Sequence, residues 1–117
     1  MSRQKRKGTA FETAFVNYER RYFDDDEQTI HRAAMTGAAD QGDVHGLYCR
    51  GKRIVVECKD HGMYNLPAWL REAEREKGNA DADIGVVVFH LKGRGIANMG
   101  AQGVLMTVDD FNELIGG

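Results

Sequence analysis

Apolar and polar positions along this chain follow two different periods, and the switches between them mark its elements. Phe11, Phe15, Tyr18 and Tyr22 recur at helical spacing as one apolar stripe, which predicts a helix from about Thr9 to Phe23. Thr9-Ala10-Phe11-Glu12 fits a capping box at its start, with hydroxyl and carboxylate satisfying free backbone N–H groups. Asp24-Asp25-Asp26-Glu27 reads as a solvated loop, Thr29 to Met35 as a first strand, and Thr36 to Gln41 as a small-residue connector. Gly42 to Lys59 reads as two strands joined by a glycine-containing turn. Asn65 as cap and Pro67 at the first position start a second helix, which Gly78 stops. Leu66, Leu70 and Ala73, with Trp69 beside them, make its inner face; Arg71, Glu72, Arg75 and Glu76 make its outer face. Ile84 to Phe89 is nearly continuously apolar, the pattern of a strand buried on both faces. Lys92 to Gly103 reads as a mobile glycine-rich loop with a little positive charge, Val104 to Val108 as a last strand, and Asp109 or Asp110 as the cap of a short final helix. The order predicts an α/β fold with a mixed sheet flanked by helices.

One strand breaks its own pattern. Alternation puts Glu57 and Lys59 on one side of the second hairpin strand and Val56 and Cys58 on the other, so a charged pair occupies a face that a core strand fills with apolar groups. Whether Asp43 joins that pair depends on the turn. A two-residue loop at Arg50-Gly51 pairs Cys49 with Lys52 and sends Asp43 to the face away from Glu57, unless a bulge intervenes. A three-residue loop Cys49-Arg50-Gly51 pairs Tyr48 with Lys52 and sets Asp43 across from Glu57, and this is the expected register. Two carboxylates so placed repel unless a cation or proton lies between them, and Lys59 supplies only one positive charge. A divalent metal suits the remainder.

Composition adds limits rather than a class. The 117 residues suit one domain, and 42% hydrophobic with 29% charged residues is ordinary for a folded globular chain. No apolar run is long enough to span a bilayer, and no apolar segment follows the basic N-terminus, so neither a membrane span nor a secretory segment is expected. Cys49 and Cys58 read as small hydrophobes in a reducing cytoplasm, with a disulfide left open. The net charge of −2 is uneven, because Arg3, Lys5, Arg6 and Lys7 form a basic arm over residues 1–7 in front of an acidic body, residues 8–117. Such an arm suits a phosphate backbone, or equally a solubilising terminus. Lys92 and Arg94 could add phosphate contacts. His31, His45, His61 and His90 show no metal-like spacing, and Trp69 reads as a core or dimer anchor.

Asp43 with Glu57-x-Lys59 is the set that metal-dependent phosphodiester hydrolysis requires. Hard carboxylate oxygens hold Mg²⁺ and leave positions to water and phosphate. Lys59 could stabilise developing charge, the Cys58 backbone carbonyl could be a further ligand, and Glu12 could complete the shell from the first helix, or serve only as its cap. These residues resemble the Asp…Glu-x-Lys signature of the PD-(D/E)xK nuclease superfamily, with Gly42 where many members have proline. Lys7-Gly8-x-x-x-Glu12 is similar to the first-helix Gly-x-x-x-Glu of its Holliday junction resolvase branch, archaeal or RecU-like bacterial and phage. The resemblance covers roughly Lys7 to Phe89. It implies a restriction-endonuclease-like αβββαβ core, and a homodimeric, Mg²⁺-dependent endonuclease, Mn²⁺ substituting, that nicks four-way DNA junctions during recombination or repair. It implies Asp43, Glu57, Lys59 and Glu12 as catalytic residues, and Asp43, Glu57, Glu12 and the Cys58 carbonyl as metal ligands. The chain departs from the RecU-like pattern in lacking a long stalk insertion, which leaves the mode of junction recognition open. A nuclease acting on flap or linear DNA and a non-catalytic nucleic-acid-binding module are the other readings.

Overall fold

The computed structural model describes residues 3–34 and 39–116, with residues 3–7 described by their backbone alone. Nine elements follow in order: α1 (Arg3–Tyr22), β1 (His31–Arg32), β2 (Val44–Cys49), β3 (Lys52–Lys59), α2 (Leu66–Asn79), β4 (Ile84–Phe89), a 3-10 turn at Met99–Ala101, β5 (Gly103–Leu105) and α3 (Val108–Gly116). The strands form one mixed sheet in the order β1-β2-β3-β4-β5. Only β3 and β4 run parallel, and α2 makes the crossover that a parallel pair needs. No helix among the described residues is long and apolar enough to cross a membrane.

α1 covers one face of the sheet and α2 the other, and α3 also packs against β4. Phe11, Phe15 and Val16 of α1 pack on Val44, Val56, Ile84, Val86 and Val88, while Trp69 and Ala73 of α2 pack on Val87 with Phe89 and Leu105 beside them. β4 lies between both layers, which explains its continuous apolar run. Trp69 is thus a core anchor, packed against Tyr64 and Phe89.

Several local expectations change. α1 begins at Arg3, so residues 3–7 continue the helix and Thr9 and Glu12 lie inside it rather than at a capping box. The side chains of Arg3, Lys5, Arg6 and Lys7 lie outside the described residues. The first strand shrinks to His31–Arg32, an edge pair with both residues exposed, and residues 35–38 of the expected strand and connector are not described. Asp25 tightens the acidic loop, accepting from the Thr29 and Ile30 amides at 3.0 and 2.7 Å. The Lys92–Gly103 loop is tied down, not free: Gln102 donates to the carbonyls of Gly95 and Asn98 and accepts from the Leu91 amide at 2.7 Å.

The final helix is capped by Thr107, whose hydroxyl accepts from the Asp110 amide at 3.1 Å. Asp110 itself is buried and turned inward. Its carboxylate takes the Gly85 amide and the Lys77 ammonium, each at 2.9 Å, so it joins α3 to β4 and α2. Hydrogen bonds from that amide and that ammonium hold its carboxyl below the usual range despite burial. Asp110→Ala is expected to cost about 1–3 kcal/mol in a denaturant melt, because it strands the buried Gly85 amide and leaves the Lys77 ammonium with Glu74 alone.

Candidate metal centre

The hairpin that carries the site closes with a two-residue turn. Cys49 pairs with Lys52 and Tyr48 with Arg53, and the turn residues Arg50 and Gly51 have φ of 51° and 80°, the left-handed pair of a tight hairpin. The expected three-residue loop is therefore wrong. Further along, however, Val44 pairs with Val56, so His45 and Gly46 together oppose the single residue Val55. This bulge, with Gly46 at φ 95°, shifts the ladder by one residue and returns Asp43 to Glu57. The Asp43 amide donates to the Val56 carbonyl at 2.8 Å, and its carboxylate accepts from the Cys58 amide at 2.8 Å. Asp43 and Glu57 thus meet by another route than the one expected.

Glu57 points to the α2 side of β3, beside Val87 of the neighbouring strand. Only 5% of it is exposed, and among the described residues its Oε1 has no hydrogen-bond partner. Burial, reinforced by hydrogen bonds to Glu72 and Asp43 and by the Asp43 charge, pushes its carboxyl up to about 12. Lys59 shares this face as expected. Its ammonium lies 3.4 Å from Glu57 Oε2 and 2.8 Å from Glu72 Oε1, so Glu72 holds it beside Glu57. Cys58 faces the α1 layer, packed against the core, and both it and Cys49 are free cysteines.

The α2 face holds the largest surprise. Glu72 and Glu76, expected on the outer surface, turn inward and bring oxygens within 4.8 Å of one another and of Glu57 and Asp40. Glu76 is fully buried, 0% exposed, with both oxygens unpartnered among the described residues. Its carboxyl rises to about 8, chiefly through burial and then through the Asp40 charge. The sequence carries a signal for this: Glu76 lies seven residues from Trp69 and three from Ala73, on the same helical stripe as both.

No protein-family model, curated protein or solved structure matches this chain.

The other candidates fall in different places. Glu12 belongs to α1, on the opposite layer, and its carboxylate pairs with Arg32 Nε at 3.5 Å. Burial and the Asp43 charge raise its carboxyl, against Arg32, so it stands near Asp43 rather than in the α2 cluster. Being mid-helix, it is no cap. His45 is held by Arg53 at 3.1 Å and by the Gln41 carbonyl at 2.6 Å. Arg94 donates to the Ala101 carbonyl at 2.6 Å and is spent on its own loop, whereas exposed Lys92 lies 5.7 Å over the Tyr64 ring. As for a metal, the residues fit a hard cation: an orphaned, buried Glu57 oxygen stands among carboxylates whose charge Lys59 only partly offsets.

Proposed function

We propose that this chain is a metal-dependent, structure-selective DNA endonuclease, with the four-way junction as its leading substrate. One observation carries the reading: the Gly46 bulge brings Asp43 to Glu57 on the face where Lys59 also stands. A purely structural sheet gains nothing from buried carboxylates that repel each other. The order helix, three strands, helix, strand supports a restriction-endonuclease-like core.

In this reading Asp43, Glu57 and the Cys58 carbonyl, with Glu12 as a fourth candidate, would hold Mg²⁺ or Mn²⁺, which when bound polarises the phosphoryl oxygen and acidifies a water. Lys59 presents its ammonium to charge developing on the phosphate, and Glu72 keeps it there. Asp43 links strand ends, its carboxylate fixed by the Cys58 amide. A homodimer in the cytoplasm, of a phage host if the chain is phage-encoded, belongs to the same reading.

A nicking assay on four-way junction, flap and linear duplex, with Mg²⁺ and with EDTA, tests it. Symmetric Mg²⁺-dependent nicks on the junction, lost in Asp43→Asn with junction binding kept, are expected; cleavage by Asp43→Asn removes the site. Removing residues 2–7 is expected to weaken junction binding and, for each phosphate the arm neutralises, to lower the slope of log affinity against log salt by about 0.9, as read by fluorescence anisotropy. Glu12→Gln is expected to cost under about 1 kcal/mol of stability, since its ion pair is half-exposed. Nicking should nevertheless fall about tenfold or more; unchanged nicking removes Glu12 from the shell.

A further inference from the structure

The α2 side of β3 holds more carboxylate than the proposed nuclease site uses. Asp40, Glu57, Glu72 and Glu76 each offer an oxygen within 4.8 Å of the others. Independently of that clustering, Glu76 is 0% exposed and, among the described residues, neither of its oxygens has a hydrogen-bond partner. Lys59 is already committed to Glu57 and Glu72, at 3.4 and 2.8 Å. Among the described residues no ion pair includes Glu76. A buried carboxylate facing three others stays ionised only if a cation joins it.

We propose that Asp40, Glu57, Glu72 and Glu76 form a second divalent-cation site, separate from the Asp43 position, for a hard ion such as Mn²⁺, Mg²⁺ or Ca²⁺. All four donors are oxygens, which excludes preference for a thiophilic metal. Oxygens on opposite sides of such an ion lie about 4–5 Å apart, twice a bond length of about 2.0–2.6 Å. The cluster therefore needs little movement to close on one. Charge agrees: four carboxylates against one ammonium leave three negative charges, and a divalent ion leaves one.

The surroundings also suit entry and retention. Asp40 is exposed, so the ion reaches the cluster from its side. The Asp40 segment is anchored, with Gly42 N–H donating to its carboxylate at 2.9 Å and Asn79 Nδ2 donating to its carbonyl at 2.8 Å. A Cβ at Gly42 would stand 3.6 Å from Glu76 Oε1, so this backbone closes directly over the buried carboxylate. Glu57 lies between this site and Asp43, joining the two.

The inference does not rest on DNA cleavage, and its probe is the metal alone. Mn²⁺ is titrated into the full chain and followed by electron paramagnetic resonance and calorimetry, with Glu76→Gln, Asp40→Asn and Asp43→Asn alongside. One bound Mn²⁺ is expected to be lost in Glu76→Gln and weakened about tenfold or more in Asp40→Asn, while surviving in Asp43→Asn. Asp40 is exposed, so its variant keeps the test valid even where Glu76→Gln folds poorly. Wild-type Mn²⁺ number and affinity in both Glu76→Gln and Asp40→Asn overturn the site, as does complete loss of binding in Asp43→Asn. A bound ion sensitive to Glu76→Gln in a chain that nicks no DNA upholds this site and overturns the nuclease reading. Nicking that depends on a single ion, indifferent to Glu76→Gln, does the reverse.

Discussion

Glu57→Gln is expected to abolish Mg²⁺-dependent nicking and, in the same molecule, to stabilise the metal-free protein at neutral pH. Glutamine has the shape of a protonated glutamate, and without metal a proton is what Glu57 holds, since burial beside Glu72 and Asp43 raises its carboxyl from 4.5 to about 12. The substitution keeps the donor that faces those carboxylates and removes the cost of taking up a proton on folding at neutral pH. Activity should fall by about 10²–10³ or more, the scale on which a preorganised electrostatic group acts.

The pH dependence carries the same sign. A carboxyl whose folded value lies above its unfolded value binds its proton more tightly in the native state, so its stabilisation is present at low pH and declines as pH rises between the two values. For Glu76 that interval runs from 4.5 to about 8. For Glu57 it runs from 4.5 to about 12. In EDTA, stability should fall from pH 5 to pH 8 by about 1.4 kcal/mol per pH unit for each proton retained. Glu72 and Asp110 shift downward and act at lower pH, whereas Glu12, Glu19 and Glu74 are raised as well and add to the fall, so the Glu57 contribution is read as the difference between wild type and Glu57→Gln. Glu57→Gln should flatten the slope, and Mg²⁺ should flatten it in the wild type by displacing the proton. Thermal melts from pH 5 to 8 check this; a wild-type slope in Glu57→Gln removes the proton from Glu57.

The parts of this architecture that the sequence makes legible are those where the backbone period alone decides. Strand alternation sets Glu57 and Lys59 on one face whatever surrounds them, and β4 is uniformly apolar because both layers cover it. The parts it leaves hidden depend on tertiary contact. Glu76 shares the helical stripe of Trp69 and Ala73, but its charge, like that of Glu72, reads as solvent-facing because charged side chains are normally exposed, and packing against β3 overrides that reading. The start of α1 is obscured because Thr9 and Glu12 satisfy a capping pattern that the helix simply runs through. The hairpin register follows from the turn alone only where the ladder is regular. Gly46, an isolated glycine inside a strand pattern, is the sign that a bulge intervenes.

That glycine supplies the second large effect. At φ 95° an alanine is strained by about 1–2 kcal/mol, and its Cβ would also collide with the Thr29 carbonyl and approach Ile30 Cα to 2.9 Å. Both obstacles are backbone, which no rotamer change relieves, so overpacking adds about 1–3 kcal/mol more. Gly46→Ala should therefore lose roughly 2–5 kcal/mol. Gly51→Ala is the matched control: its φ is 80° and nothing lies within 4 Å of the added atom, so only the conformational cost applies. The chain can escape the collision by sliding the bulge out of β2, but the two-residue turn then carries Asp43 to the face away from Glu57. Melts of the two variants should differ by several degrees. Any Gly46→Ala protein that stays folded should bind Mn²⁺ with altered stoichiometry and nick no junction, while Gly51→Ala keeps both. A Gly46→Ala chain that melts and nicks like Gly51→Ala would mean that Asp43 reaches Glu57 without the bulge, and the geometry on which the site depends would have to be sought elsewhere.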